Sequence, residues 1–173
     1  MKVLVTGGAR SGKSRHAEAL LAGHEAVTYV AAGPAYDDAD WAARVATHRE
    51  RRPAAWQTEE TRDVAGVLRT ATGAMLVDCL GTWLTALVDE AGLWDAPVGE
   101  VEEHVLARVA DLTDALAASA VRVVLVTNET GLGVVPEHRS ARLFRDLLGT
   151  VNQRVAEVCD EVHLVVAGRV LRL

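Results

Sequence analysis

The sequence predicts an α/β domain built on a mainly parallel sheet, and three observations carry that prediction. Short apolar runs of strand length alternate with longer stretches of helical period. A glycine-rich turn separates the first apolar run from the first helical stretch. The chain has 173 residues, 50% hydrophobic and 24% charged, which suits one buried core and is too short for two. A single domain over residues 1–173 is expected.

The elements follow in order. Val3–Thr6 reads as the first strand and stops at Gly7-Gly8. A helix over 13–22 is closed by Gly23, and Val27–Ala31 forms the second strand, ended by Gly33-Pro34. A helix from Asp37 to Arg51 is expected, with acidic residues at its positive end and Pro53 beyond it. A loop through Trp56 and Thr58 then leads to a helix over 61–71. Ala74–Cys79 is an apolar strand ending at Asp78-Cys79, and a helix follows from Thr82 to Glu90. Residues 98–119 place Val101, Val105, Val109, Leu112 and Leu116 on one helical stripe. Val121–Thr127 is a strand, and Pro136 opens a helix reaching about Val158. Val162–Ala167 and Val170–Leu173 read as a terminal hairpin turning at Gly168-Arg169.

Composition narrows the function classes. Lys+Arg number 18 against 24 Asp+Glu, a formal charge of −6, which argues against a non-specific nucleic-acid binder. Only Lys2 and Lys13 are lysines; the other basic residues are arginines. Cys79 and Cys159 stand far apart without metal-ligand spacing, so neither a disulfide scaffold nor a zinc site is expected. No apolar run approaches the roughly 18 residues of a membrane span, and no signal-peptide core follows Met1. A cytoplasmic protein is expected.

Gly7-Gly8-Ala9-Arg10-Ser11-Gly12-Lys13-Ser14 matches GxxxxGK(S/T), the phosphate-binding P-loop, between a strand and a helix as the motif requires. Glycines let successive backbone N–H groups curl around a phosphate, and the helix N-terminus adds partial positive charge. Lys13 then reaches the β- and γ-phosphates, and the Ser14 hydroxyl suits Mg²⁺. Asp78, at the end of an apolar strand, suits the second, acidic metal position. It also suits the N-cap of the next helix, as the lesser alternative.

The segment from Arg44 to Pro53 sets one histidine, His48, among Arg44, Arg49, Arg51 and Arg52. On residue type alone it reads two ways. The arginines complement a helix C-terminus; alternatively, a neutral imidazole among guanidiniums is what nucleophilic attack on phosphorus uses.

Val5–Arg15, His48–Pro53 with Trp56, and Val126-Thr127-Asn128-Glu129 with Gly131, Gly133 and Val135-Pro136-Glu137 together resemble one family. Arg142, Phe144-Arg145-Asp146 and Val151-Asn152-Gln153-Arg154 continue the likeness over nearly the whole chain. The family is that of the bifunctional adenosylcobinamide kinases / adenosylcobinamide-phosphate guanylyltransferases of cobalamin biosynthesis.

The resemblance implies a RecA-like P-loop fold, a trimer, and two reactions. ATP or GTP phosphorylates adenosylcobinamide, a corrinoid; GMP is then transferred from GTP through a guanylylated histidine, here His48. It further assigns Arg49, Glu50, Arg51 and Arg52 to the nucleotide, with Glu60 and the turn Ala32-Gly33-Pro34. That turn lacks the hydroxyls relatives can carry, so contacts there must come from its backbone. Asp78 replaces a Glu found in some relatives, with shorter reach. Asn128 and Glu129, at a strand end, suit substrate or phosphate contacts, or capping of the following loop. His16 is expected on the surface of the first helix. Two other readings share these residues: a small-molecule P-loop kinase without guanylyl transfer, and a nucleotide-binding module without turnover.

Overall fold

The computed structural model describes residues 1–34, 38 and 53–173. The expected helix from Asp37 to Arg51 therefore falls outside the described residues, apart from Asp38. Seven strands form one sheet: β1 (Lys2–Thr6), β2 (Val27–Ala31), β3 (Gln57–Glu60), β4 (Ala74–Asp78), β5 (Val123–Val126), β6 (Glu161–Val166) and β7 (Arg169–Arg172). The described helices are α1 (Lys13–Leu20), α2 (Val64–Thr70), α3 (Leu80–Ala91), α4 (Val98–Ala118) and α5 (Arg139–Ala156). The order across the sheet is β3-β2-β4-β5-β1-β6-β7. Every neighbouring pair is parallel except β6 with β7. The mostly parallel sheet with a C-terminal hairpin is the architecture the sequence predicts.

Strand residues alternate between two covered faces, as a period of two requires. Leu4, Val30, Met75, Val77 and Leu125 point into a core shared with α2–α5. Val3, Val5, Tyr29, Leu76 and Val126 point the other way, against Ala17 of α1 and Leu21 at its C-cap. All five residues of the α4 stripe are buried. Among the described residues Trp83 is the largest buried side chain, and its indole N–H donates to the Arg62 carbonyl at 2.9 Å. Trp56 and Trp94 also pack against the cores. Removing a Leu side chain such as Leu84 from this interior costs about 2–5 kcal/mol.

Several elements differ from expectation. The helix expected over 61–71 spans Val64–Thr70, and the strand expected from Val121 begins at Val123. Four further differences have a physical reason. β3 forms where a loop is expected: its four residues, Gln-Thr-Glu-Glu, are polar and exposed. An edge strand held by a ladder on one side needs no apolar alternation, and its charges discourage further pairing. α3 begins at Leu80, two residues early, because Cys79 supplies its N-cap. α5 begins at Arg139 rather than Pro136, after an exposed loop. The hairpin turns at Ala167-Gly168, one residue early, with φ of 48° and 75°, the left-handed pair that matches strand twist.

Candidate functional site

The phosphate loop joins β1 to α1. Gly12 sits at the α1 N-cap with φ of 95°, a conformation that disfavours any side chain. Gly7 is required for space: a Cβ there would lie 2.5 Å from the Val165 carbonyl and 2.7 Å from Ser11 Oγ. Gly8, Ala9 and Arg10 are exposed at the mouth of the loop. Ser11 N–H donates to Gly8 O at 3.3 Å, and Lys13 Nζ donates to the same carbonyl at 3.2 Å. No side chain caps α1 and its first turn holds no acidic residue. Its N–H groups and partial positive charge are thus presented without a resident carboxylate, the arrangement an anion fills. The Ser11 hydroxyl is buried and lacks a hydrogen-bond partner.

Two further strand ends lie along the same edge of the sheet. Glu129 N–H, just past β5, donates to the Gly7 carbonyl at 3.1 Å. Asp78 ends β4, two strands from β1, and its carboxylate accepts from the buried Tyr29 hydroxyl at 3.1 Å. Asp78 does not cap α3. The cap is Cys79, which pairs reciprocally with Thr82. Burial raises the Cys79 thiol pKa, Asp78's charge raises it further, and Thr82 and Lys13 oppose them. A buried, protonated thiol is a packing and capping group. Lys13 and Asp78 thus both act electrostatically on the Cys79 thiol, with opposite sign.

Asn128 and Glu129 are held by their surroundings. Asn128 Oδ1 accepts from the Cys79 thiol at 3.6 Å. Asn152 of α5 donates to the Asn128 carbonyl at 3.0 Å and accepts from the buried Thr127 hydroxyl at 2.6 Å. Glu129 Oε1 accepts from Gly131 N–H at 2.6 Å, so this carboxylate caps its own loop.

The remaining assignments spread along the same carboxyl edge. Ala32, Gly33 and Pro34 follow β2, and Ala32 is buried. Glu60 ends β3, four strand positions from β1, or roughly 19 Å at about 4.8 Å per strand. It lies too far away to share a phosphate with Lys13, and only an extended ligand spans both. His48, Arg49, Glu50, Arg51 and Arg52 lie outside the described residues.

Several partners escape sequence reasoning. Tyr29 reads only as a strand residue, and Asn152 only as part of the family likeness along the last helix, with no role attached. His16 is not a plain surface residue: its Nε2 lies 2.9 Å from Nδ1 of the wholly buried His163. Burial, His163 and Arg172 together lower the His16 pKa. His163 is legible only as a histidine interrupting an apolar strand.

Among the described residues, no cluster of three or more His, Cys, Asp or Glu suits a metal ion. Ser14 and Asp78 offer hard oxygen donors at one edge. That donor set suits Mg²⁺, which is commonly held by one or two protein oxygens plus substrate phosphates.

Known proteins resemble this chain over nearly its whole length. Residues 3–173 match the family model CobU, cobinamide kinase / cobinamide phosphate guanyltransferase. The chain is 44% identical to the bifunctional adenosylcobalamin biosynthesis protein CobU of Salmonella typhimurium, covering 97% of each chain. Identity to CobU of Escherichia coli K12 is 43% over the same shares. Identity to CobP of Pseudomonas aeruginosa is 44%, over 97% of this chain and 94% of that protein. In fold alone, the chain resembles a solved ATPase of the type III secretion system of pathogenic bacteria, with a TM-score of 0.57 at 11% identity. The match covers 94% of this chain and 50% of that ATPase. The chain belongs to the cobinamide kinase / cobinamide phosphate guanylyltransferase family.

Proposed function

We propose that all 173 residues act as one catalytic unit carrying both family reactions on adenosylcobinamide. The observation that carries this reading is the uncapped, carboxylate-free start of α1 behind a P-loop, with Asp78 nearby. In the kinase step the substrate hydroxyl oxygen attacks the γ-phosphorus of ATP or GTP. The β–γ bridging bond breaks, the nucleoside diphosphate leaves, and the hydroxyl proton passes to solvent. Gly7 to Lys13 cradle the phosphates, so this step is mainly positioning and charge stabilisation. Ser14 and Asp78 are the residues that would hold Mg²⁺, which when bound neutralises charge on the β- and γ-oxygens. Tyr29 orients the Asp78 carboxylate by donating to it.

In the second reaction a neutral ring nitrogen of His48 attacks the α-phosphorus of GTP. A P–N bond forms, the α–β bridging bond breaks, and pyrophosphate leaves. A phosphate oxygen of adenosylcobinamide phosphate then attacks the same phosphorus, the P–N bond breaks, and adenosylcobinamide-GDP results. Arg49, Arg51 and Arg52 hold nucleotide phosphates by bidentate contacts and favour the unprotonated imidazole electrostatically. Glu50, Glu60 and the backbone of Ala32, Gly33 and Pro34 bind the rest of the nucleotide. Asn128, held by Asn152, faces substrate, while Glu129 supports the loop behind it. The enzyme works as a cytoplasmic homotrimer on a corrinoid, with no nucleic-acid partner.

The test is incubation with Mg²⁺ and GTP labelled at the α-phosphate. Acid-labile, alkali-stable label is expected on wild type and none on His48→Ala. Label persisting on His48→Ala overturns the assignment. No label on either protein favours the kinase-only reading.

A further inference from the structure

The C-terminal hairpin touches the phosphate loop at several points. The Gly168 N–H donates to the Ser11 carbonyl at 2.8 Å, and the Val165 carbonyl occupies the space a Cβ on Gly7 would need. A third contact is a chain of side chains. Glu161 Oε2 lies 2.7 Å from His163 Nε2, and His163 Nδ1 lies 2.9 Å from His16 Nε2. His163 is wholly buried, and both of its ring nitrogens are engaged.

The direction of this chain follows from its donors. A carboxylate only accepts, so in a neutral His163 the proton sits on Nε2 and Nδ1 is the acceptor. His16 must then donate from Nε2–H, leaving its Nδ1 unprotonated. His16 stands in the first turn of α1, where its own N–H donates to the Gly12 carbonyl at 3.0 Å. Lys13 and Ser14 lie between Gly12 and that anchor.

We propose that Glu161 and His163 are positioning residues for the nucleotide site. Acting through His16, they hold the first turn of α1, and with it Lys13 and Ser14, in the orientation that grips the β- and γ-phosphates. The proposal rests on the nucleotide reading above. Orientation by an outer partner is a recurrent device, because a side chain locked at both ends keeps its neighbours in place.

The test uses the full chain and measures two quantities, nucleotide affinity and histidine tautomer. In wild type at neutral pH, ¹⁵N shifts should show His16 protonated at Nε2 and not at Nδ1. Glu161→Ala removes the acceptor and should abolish that preference. It should also weaken GTP binding roughly 10-fold, the low end for loss of an orienting outer partner. GMP, which lacks the phosphates the loop grips, should bind with unchanged affinity. Glu161→Gln keeps an acceptor oxygen and should restore both tautomer and GTP affinity. Equal losses for GTP and GMP would mean general loosening and overturn the proposal, as would an unchanged GTP affinity or His16 protonated at Nδ1 in wild type. If wild type fails to bind GTP at all, the nucleotide reading itself falls and takes the proposal with it.

Discussion

At the β1–α1 junction the helix starts from a left-handed glycine with no side chain capping it, and its lysine bends back to a loop carbonyl. At the β4–α3 junction, two strands away along the same edge, Cys79 and Thr82 close a reciprocal capping box. Both helices leave the carboxyl ends of parallel strands, where open α/β sheets bind ligands. Only the first leaves its terminal N–H groups for something outside the chain. The second satisfies its own, and contributes the carboxylate of Asp78 instead. The contrast separates residues kept for a ligand from residues kept for the fold, and mutations should respect the division.

Lys13→Ala breaks the open junction and carries the largest expected effect. Both half-reactions should fall by about 10²–10³-fold in kcat/KM, the range for losing one charge-stabilising group. Its melting temperature should stay near wild type, since the partner lost is one exposed carbonyl. Full guanylyl transfer by this variant would mean that the two reactions use separate nucleotide sites. Thr82→Val strikes the closed junction. It should cost about 1 kcal/mol in denaturant unfolding, as lost caps do, with the KM for GTP unchanged. A raised KM with unchanged stability would erase the distinction between the junctions.

The smallest effect concerns a thiol away from both junctions. Burial and the nearby Asp160 push Cys159 up to about 11, against an ordinary value near 9. The folded protein therefore keeps this proton while the unfolded chain releases it. Cys159 should weaken stability as pH rises from 9 to 11 and have no such effect below 9. Unfolding of wild type and Cys159→Ala across that window should show the steeper decline in wild type. Parallel declines would contradict the shift.

The open junction was the more legible of the two. Gly7, Gly12, Lys13 and Ser14 are recognisable because a phosphate cradle needs glycine conformations and a lysine at fixed spacing within one short segment. The closed junction was read only in part. Asp78 is recognisable as a carboxylate ending an apolar strand, but the same residue type also suits a cap. That ambiguity resolved only when Cys79, a poor capping residue by type, took the role. Glu129 went the other way: its position suggested either substrate contact or loop capping, and its side chain is committed to Gly131. β3 escaped notice because an exposed edge strand carries no hydrophobic signature.

The sequence by itself determined the alternation of strands and helices, the buried stripe of α4 and the phosphate loop. Each is written in residues a few positions apart, where periodicity, glycine conformation and helix ends act locally. The tertiary structure decided what depends on residues distant in sequence. Tyr29 meets Asp78, Asn152 of α5 ties down Thr127 and Asn128, and His163 reaches His16 across 147 positions. Such pairings depend on which strands become neighbours. That is settled by how the whole sheet buries its two faces, so no local pattern encodes them.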